Sequence, residues 1–418
     1  MNNKIPGKGK VEMNRQKPVQ SKRKGSAIAL VLLAVVLLSA VGVGLLSLGL
    51  HSRIFAIRNA SDITARCAVD AALTKALFEM NEKLKVQSWN DSDLPQTTNE
   101  LLPNCDAIYS YTVTGDIDSG FTVEAIGKSN QAERRANSVL QLQGPFESAI
   151  FVQGALILKA GTLIDGYNSL NPGDTDVEVK IGTNSILPNS VILNFGVTVD
   201  GDVLIGVGGD VQNVIQNQGA TIDDMYAIIV EVVFPDITVP LLPDMGTDIA
   251  VHGKTLKIGP ANSGIYQVIE LKRAADPGIL EIDGGEVVLC VTDTIDMGQD
   301  CEIVVNEGAS LVLYLDGDLY SGNNAGINNK NSPLKFKLYG TGEVGQEIDL
   351  KAKGDFSGAV YAPNAEIVIN AGGDIYGSFV ALSFELKSGG NFHYDEALRN
   401  VTVDDEGLRF VVEHWSEQ

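Results

Sequence analysis

The chain has 418 residues, including 31 Lys and Arg and 53 Asp and Glu, so its formal net charge is −22 at pH 7. Residues 1–25 hold eight of the basic residues and one acidic residue, which leaves the rest of the chain with a formal charge of about −29. Because phosphate binding needs clustered Lys and Arg, nucleic acid and anionic lipid headgroups are excluded as expected partners of that part. Acidity of this degree usually keeps a protein soluble.

A basic leader, residues 1–25, precedes a run of 24 uncharged residues from Ala27 to Leu50. In helical form such a run spans about 36 Å, more than the roughly 30 Å of a bilayer core. A secretory signal has a shorter apolar region followed by a small-residue cleavage site, whereas His51 and two further polar residues follow here. We therefore predict a single-pass membrane protein with a cytoplasmic N-terminus and its bulk outside the membrane.

The next two predicted regions are a helical continuation and a small sheet. Residues 52–87 contain no Gly or Pro and place apolar side chains at helical spacing, so the helical region is expected to cover residues 26–86, about 90 Å long. Residues 87–145 begin as a loop and continue with alternating runs at 109–114, 121–126 and 136–142. This pattern predicts an antiparallel meander whose apolar face is covered by the upper part of the helix.

Residues 146–400 consist of short apolar runs about 8 to 12 residues apart, with Gly, Asn and Asp between them. No long helical pattern interrupts them, so this domain is predicted to be all-β, either a parallel β-helix (solenoid) or a sandwich. The strand, turn, strand rhythm of residues 358–398 favours the solenoid. The Pro-rich residues 232–246 are expected to leave the coils, and residues 401–418 are expected to form a C-terminal tail.

Four cysteines are present: Cys67, Cys105, Cys290 and Cys301. None lies in a CxxC pair, so neither a zinc site nor a thioredoxin-type site is indicated, and we predict no metal and no cofactor. Outside the membrane the cysteines could form disulfides, and proximity in sequence favours Cys290 with Cys301 and Cys67 with Cys105. Four buried thiols are an equal alternative.

The order of basic leader, Gly25, apolar helix, helical continuation and meander resembles the type IV pilins and type II secretion pseudopilins, in particular the minor-pilin group. Residues 22–86 carry this resemblance, and residues 358–398 resemble the β-helical domain at the C-terminus of pilus-associated proteins. The resemblance implies that a prepilin peptidase cuts between Gly25 and Ser26. It also implies that other pilins or pseudopilins are partners.

Two positions depart from the pattern of the major pilins. Ser26 stands where they have Phe, and Leu30 stands where they have Glu. A carboxylate in hydrocarbon is costly unless it meets the free amine of a neighbouring subunit, and Leu30 removes both the cost and that contact. We therefore expect a minor structural or assembly subunit of a pilus or pseudopilus, or an anchor that stays in the membrane, and not the bulk subunit of a filament.

Two other functions remain open. The first is an uncleaved surface protein whose solenoid binds polysaccharide or a partner cell. The second is a glycan-active enzyme, because β-helical enzymes use paired Asp residues. The candidate pairs are Asp200 with Asp202 and Asp316 with Asp318, although Asp-Gly is ordinary turn chemistry and we expect no enzyme.

Further candidates lie on the predicted solenoid. Turn carboxylates, those of Asp210 and Asp374 included, are weak candidates for calcium ligands. Near the C-terminal end, the segment NFHYDEAL places His393, Tyr394 and Asp395 together, and we expect it to cap the last coil. Three aromatic residues could stack on glycans if exposed, although packing inside the coil is the simpler expectation; they are Tyr361, Tyr376 and Phe379.

Overall fold

A single long helix begins the described part of the chain. Helix α1 (Ser26–Leu84) has 59 residues and is about 88 Å long. The computed structural model describes residues 26–85, 89–117, 119–173, 177–328, 332–351, 356–370, 373–400 and 405–417.

The two halves of α1 have different surroundings. Its lower half, residues 27–60, is exposed on all sides. Its upper half buries one stripe of small and apolar side chains at helical spacing, namely Ala65, Ala68, Val69, Ala72, Ala76 and Met80. This stripe packs on an antiparallel sheet, so the prediction that the upper helix covers the meander is confirmed.

The antiparallel sheet has the strand order β1, β2, β3, β4, β30. The strands are β1 (Gln96–Leu101), β2 (Ile108–Asp116), β3 (Gly120–Ser129), β4 (Ala132–Gln143) and β30 (Arg409–Glu417). The predicted tail at 401–418 is therefore wrong for residues 409–417, which pair antiparallel with β4. Residue pattern alone does not show this pairing, because β30 joins a strand that lies far earlier in the chain.

The domain between β4 and β30 is a parallel β-helix, as predicted, and its parallel pairing rules out the sandwich. Its strands are β5 (Ile150–Val152), β6 (Leu156–Leu158), β7 (Leu163–Tyr167), β8 (Val179–Thr183), β9 (Val191–Leu193), β10 (Thr198–Val199), β11 (Gly201–Ile205), β12 (Ile215–Asn217), β13 (Asp224–Ala227), β14 (Ile249–His252), β15 (Thr255–Ile258), β16 (Gly264–Tyr266), β17 (Ile269–Lys272), β18 (Ile279–Ile282), β19 (Glu286–Val291), β20 (Ile295–Met297), β21 (Glu302–Val305), β22 (Ser310–Leu315), β23 (Leu319–Ser321), β24 (Gly326–Ile327), β25 (Phe336–Gly340), β26 (Gln346–Leu350), β27 (Phe356–Ile369), β28 (Asp374–Leu386) and β29 (Asn391–Asp395).

Four short helical segments complete the described elements. They are helix α2 (Val211–Val214) and the 3-10 turns Pro260–Asn262, Pro333–Lys335 and Glu396–Arg399.

The strands form three parallel ladders, one on each side of the coil. The first ladder runs through β14, β17, β20, β23, β26, β27, β28, β6, β9 and β12. The second runs through β15, β18, β21, β24, β27, β28, β29, β7 and β10. The third runs through β16, β19, β22, β25, β27, β28, β5, β8, β11 and β13.

The coils are not stacked in chain order. The chain starts in the middle of the stack at β5 and winds to one end at β13. Residues 228–248, which we call the return strap, then lead to the opposite end, and the chain winds back from β14 to β29. There β28 and β29 pair with β5, β6 and β7, and we call this junction of the two half-stacks the seam.

The return strap is long enough for its crossing. About ten layers at 4.8 Å separation make a stack of about 43 Å, whereas 21 extended residues reach almost 70 Å. The prediction that the Pro-rich residues 232–246 leave the coils is confirmed for most of the segment, because no strand of the described chain lies between Ala227 and Ile249. At its end, Asp244 forms a parallel bridge with Ile265 of β16.

The solenoid has an inner core and an outer apolar cluster. Inside the coil, the ladders stack buried Val, Ile, Leu and Phe side chains in one continuous core. The outer cluster lies on the third ladder under the return strap, whose Phe234, Ile237 and Leu242 pack on it. The buried members of this cluster are Phe146, Cys290, Tyr314, Tyr339, Ala359, Tyr361, Val380 and Leu398.

The solenoid is inserted at the end of the sheet farthest from Ser26. The turn before β4 lies beside the middle of α1, where Asn130 Nδ2 donates to Ser61 Oγ at 2.9 Å. The other end of β4 lies near the top of α1, where the Phe410 N–H donates to Asn81 Oδ1 at 2.7 Å. The chain therefore enters and leaves the solenoid at the distal end of the helix–sheet domain.

Candidate functional site

The predicted processing site lies at the start of the described chain. Gly25 is outside the described residues, and Ser26 is the first residue of α1. From Ala27 onward α1 is long and apolar enough, by length and composition, to cross a membrane. Leu30, at the position that distinguishes this chain from major pilins, is 62% exposed on the helix surface. Within the described residues, the structure thus leaves the predicted membrane segment Ala27 to Leu50 uncovered.

The uncovered surface of α1 continues beyond Leu50. Ile54, Phe55 and Ile57 are each about half exposed or more, at 49%, 66% and 54%. Apolar side chains exposed as a contiguous patch usually mark a surface that contacts lipid or another protein. Within the predicted membrane segment, a Cβ added to Gly42, Gly44 or Gly49 would meet nothing within 4 Å, so these glycines pack against no other part of the described chain.

The Asp-Gly-Asp segments do not form one site. Tyr226 Oη donates to Asp202 Oδ2 at 3.2 Å on the third ladder. Asp318, by contrast, precedes the first-ladder strand β23 and accepts from Tyr320 Oη at 3.0 Å. The intervening Gly201 has a structural role, because an added Cβ would lie 2.1 Å from the Val179 carbonyl oxygen.

Gly317 shows the same constraint, with an added Cβ 1.7 Å from the Asp293 carbonyl oxygen. Both glycines therefore allow close approach between layers, as expected of turn positions. Among the described residues, no group of three or more His, Cys, Asp or Glu is placed to hold a metal ion.

All four cysteines are free thiols in the structure, so neither of the two disulfides considered from the sequence is formed in it. Cys290 belongs to the outer cluster under the return strap, whereas Cys301 lies in the inner core. Cys67 is exposed on α1 and Cys105 is half-buried. The alternative of four buried thiols therefore holds for Cys290 and Cys301 only.

Two of the three aromatic candidates for glycan stacking are inaccessible. Tyr361 and Phe379 are both 0% exposed, the first in the outer cluster and the second in the inner core. Tyr376 is half-buried and stacks on His393, with ring centroids 4.7 Å apart.

The segment NFHYDEAL does not cap the end of the stack, contrary to the expectation from the sequence. It forms β29 and the turn after it, in the middle of the stack, where it closes the seam on β7. The expectation was wrong because the last strand along the chain is not the last layer in space. The segment HYDEAL and the early strand LIDGY are both visible in the sequence, and each supplies one partner of the seam. The sequence does not show that the two segments pair.

The side chains of this segment contact the first half-stack at several points. His393 Nδ1 lies 2.5 Å from Asp165 Oδ1 on β7. Tyr394 Oη donates to the Phe146 carbonyl oxygen at 2.8 Å, and Asp395 Oδ1 accepts from the Ser169 N–H at 2.9 Å. The functional role of the segment in this fold is therefore to join the two half-stacks.

Comparisons with known proteins give limited matches. Residues 244–401 match a family model described as a domain of unknown function, DUF7305. This segment covers the second half-stack and the seam. No curated protein matches the chain.

Solved structures with related features were found at low identity. The competence-associated pilin ComZ from Thermus thermophilus is 15% identical, with a TM-score of 0.24, covering 86% of this chain and 97% of that one. An ice-binding protein from the Antarctic ascomycete Antarctomyces psychrotrophicus is 12% identical, with a TM-score of 0.27, covering 61% and 96%. An ice-binding protein from an Antarctic bacterium, Flavobacteriaceae, is 12% identical, with a TM-score of 0.21, covering 59% and 80%.

Proposed function

We propose that the protein is a minor pilin-like structural subunit that takes part in the assembly of a type IV pilus or a type II secretion pseudopilus and presents its solenoid outside the membrane. In this proposal a prepilin peptidase cuts between Gly25 and Ser26, and α1 then packs with the helices of other pilins or pseudopilins. The N-terminal leader lies in the cytoplasm and the solenoid lies outside.

The observation that carries the proposal is the division of α1. One stripe of its upper half is buried against the sheet, whereas residues 27–60 remain exposed in the described chain. A bilayer core accounts for about 20 helical residues. The apolar side chains that follow Leu50, including Phe55 at 66% exposure, need a further partner, and the helices of other subunits would supply it.

The place of the solenoid supports a minor role. It extends from the distal end of the helix–sheet domain, so it leaves the sides of α1 free for contact with other subunits. A domain of this size on every subunit would crowd a filament, whereas a few copies, at a tip for example, would not. A solenoid presented in this way is suited to adhesion through a glycan or another ligand on a cell surface.

Leu30 provides the test of the minor role. We would introduce Leu30→Glu and, as the matched control, Leu46→Glu, which places the same carboxylate elsewhere in the apolar segment. The amount of each variant in sheared filaments would be compared with the wild type. The proposal predicts that Leu30→Glu changes incorporation, because it supplies the carboxylate that meets a neighbouring amine in major pilins, and that Leu46→Glu lowers membrane insertion alone.

An unchanged amount of the Leu30→Glu variant in filaments would contradict the proposal. Absence of the wild-type protein from filaments and pseudopili would favour the alternative, an uncleaved single-pass surface protein whose solenoid binds polysaccharide or a partner cell. A glycan-active enzyme is the third alternative. Polysaccharide cleavage that is lost in Asp200→Ala or Asp316→Ala would establish it.

A further inference from the structure

The seam is the one junction of the solenoid at which strands far apart in the chain must find each other. On the second ladder β29 pairs with β7 over five residue pairs, from Asn391 with Leu163 to Asp395 with Tyr167. Strand β7 belongs to the first half-stack and β29 to the second, and the return strap connects the two half-stacks. Because neighbouring layers elsewhere are continuous along the chain, the seam is the place where strand pairing joins the two half-stacks, in addition to the return strap that packs on the outer cluster.

A histidine and a carboxylate face each other across this junction. His393 on β29 pairs through Nδ1 with Asp165 on β7 at 2.5 Å. The His393 side chain is only 19% exposed, and its ring stacks on Tyr376 of β28. The imidazole is thus held between the layer below and the layer above, so its charge acts directly on the seam.

The other charged groups around His393 are also acidic. Asp374 Oδ1 on β28 lies 3.9 Å from Nε2, and Asp200, which follows β10, lies one layer beyond Asp165. The remaining titratable neighbours are Tyr376 and, against it, Tyr167 of β7 with ring centroids 5.9 Å apart. Acidic groups on both sides favour an imidazolium over a neutral imidazole.

We propose that the seam is a pH-sensitive clasp, in which protonated His393 holds β29 to β7 through Asp165 and loss of the proton loosens the junction of the two half-stacks. This inference stands independently of the proposed assembly function. It concerns how the displayed solenoid responds to its surroundings.

The direction of the pH effect follows from the pKa of His393. The hydrogen bond to Asp165 raises this pKa above its usual value, and burial opposes it more weakly. A raised pKa in the folded state gives a stabilising contribution that is fully present below the unfolded pKa of about 6.5. That contribution is lost as the pH rises through the higher, folded pKa. The pair of His393 and Asp165 therefore stabilises the seam fully in mildly acidic medium and less in alkaline medium.

The test is hydrogen exchange of the full-length protein in detergent micelles at pH 6 and pH 9, expressed as protection factors so that the intrinsic pH dependence is removed. We expect protection of the β29 and β7 amides to fall roughly three- to tenfold between the two pH values, because the hydrogen bond to Asp165 raises the pKa of His393 in the folded state and the opening equilibrium therefore depends on pH. Amides of β18 and β21, which pair within one half-stack, serve as the internal reference.

Two substitutions assign the effect. His393→Gln keeps a polar side chain without a titrating proton, and we expect it to abolish the pH-dependent fall at the seam. His252→Gln is the matched control, because His252 Nε2 pairs with Glu270 Oε2 at 2.7 Å between β14 and β17, away from the seam. We expect the seam of the His252→Gln variant to respond to pH as the wild-type seam does.

Buried carboxyl groups do not confuse this comparison. Burial raises the pKa of Glu147 and of Glu406, but both groups are present in every variant. If His393→Gln fails to fold, Asp165→Asn tests the same pair from the other side and should reduce the pH-dependent fall. A wild-type seam with equal protection at both pH values, a seam that still responds to pH in His393→Gln, or a seam that responds as strongly as the wild type in Asp165→Asn would overturn the proposal.

Discussion

The helix–sheet domain and the solenoid differ in how completely each covers its own apolar surface. The solenoid encloses one core inside its coils and covers a second, outer cluster with the return strap. The helix–sheet domain buries only one stripe of the upper half of α1 and leaves residues 27–60 exposed. The core of the solenoid is therefore complete within the described chain, whereas α1 leaves an apolar surface for a membrane or other subunits, which agrees with the proposed display by the first and assembly by the second.

The largest expected effect is in the core of the helix–sheet domain. Phe410 of β30 is 2% exposed, and its ring lies 5.3 Å from that of Phe121 and 5.5 Å from that of Trp89. Phe410→Ala should lower the free energy of opening of β3 and β4, measured by hydrogen exchange, by about 3 to 5 kcal/mol. Val412→Ala, on the same strand but 45% exposed, is the control and should change it by less than about 1 kcal/mol.

If the solenoid amides lost as much protection as β3 and β4 in Phe410→Ala, the two domains would unfold together. That result would contradict the view that the solenoid is complete in itself.

A comparable effect is expected at a close approach of two solenoid layers. An alanine Cβ at Gly377 in β28 would lie 1.8 Å from the Gly358 carbonyl oxygen. Gly377→Ala should therefore destabilise the solenoid by about 3 kcal/mol, because the layers must separate. The control is Gly308→Ala, where φ is also positive but nothing lies within 4 Å, and where only the backbone cost of about 1 to 2 kcal/mol is expected. Equal losses of stability in the thermal unfolding of the two variants would show that the close approach of the layers does not determine the cost of Gly377→Ala.

The smallest effect concerns the return strap. Tyr361 Oη donates to the Pro235 carbonyl oxygen at 2.7 Å, and Tyr361→Phe removes this bond at a cost of about 1 kcal/mol. We expect faster limited proteolysis within residues 228–248 and an unchanged inner core. Tyr226→Phe, which removes an exposed hydrogen bond at the far end of the stack, is the control and should leave strap cleavage at the wild-type rate.

The local sequence pattern predicted the elements of this fold but not which strands far apart in the chain pair with each other. The uncharged run after Ala27, the alternation in residues 108–143 and the short strands after Gly144 each follow from spacing within a few residues. The pairing of β30 with β4 and of β29 with β7 depends on contacts between residues more than 200 positions apart. Every coil presents the same alternation, so the residues do not show which coil stacks on which.

The candidate sites were predictable to different degrees. Gly25 and Ser26 are implied by the resemblance of the leader and apolar helix to those of pilins, and they remain predictions. The role of His393 depends on Asp165, whose place beside it is visible only once the half-stacks are joined. Tyr361 was recognisable as an aromatic residue between turns, but its burial depends on a strap that crosses from one end of the stack to the other.

The most direct test of the assembly role is the N-terminal sequence of the protein isolated from its native cells. The proposed function predicts a chain that begins at Ser26, which would show that a prepilin peptidase processes it although Leu30 departs from the major-pilin pattern. A chain that begins at or near Met1 would contradict the proposal and would make α1 a plain membrane anchor for the solenoid.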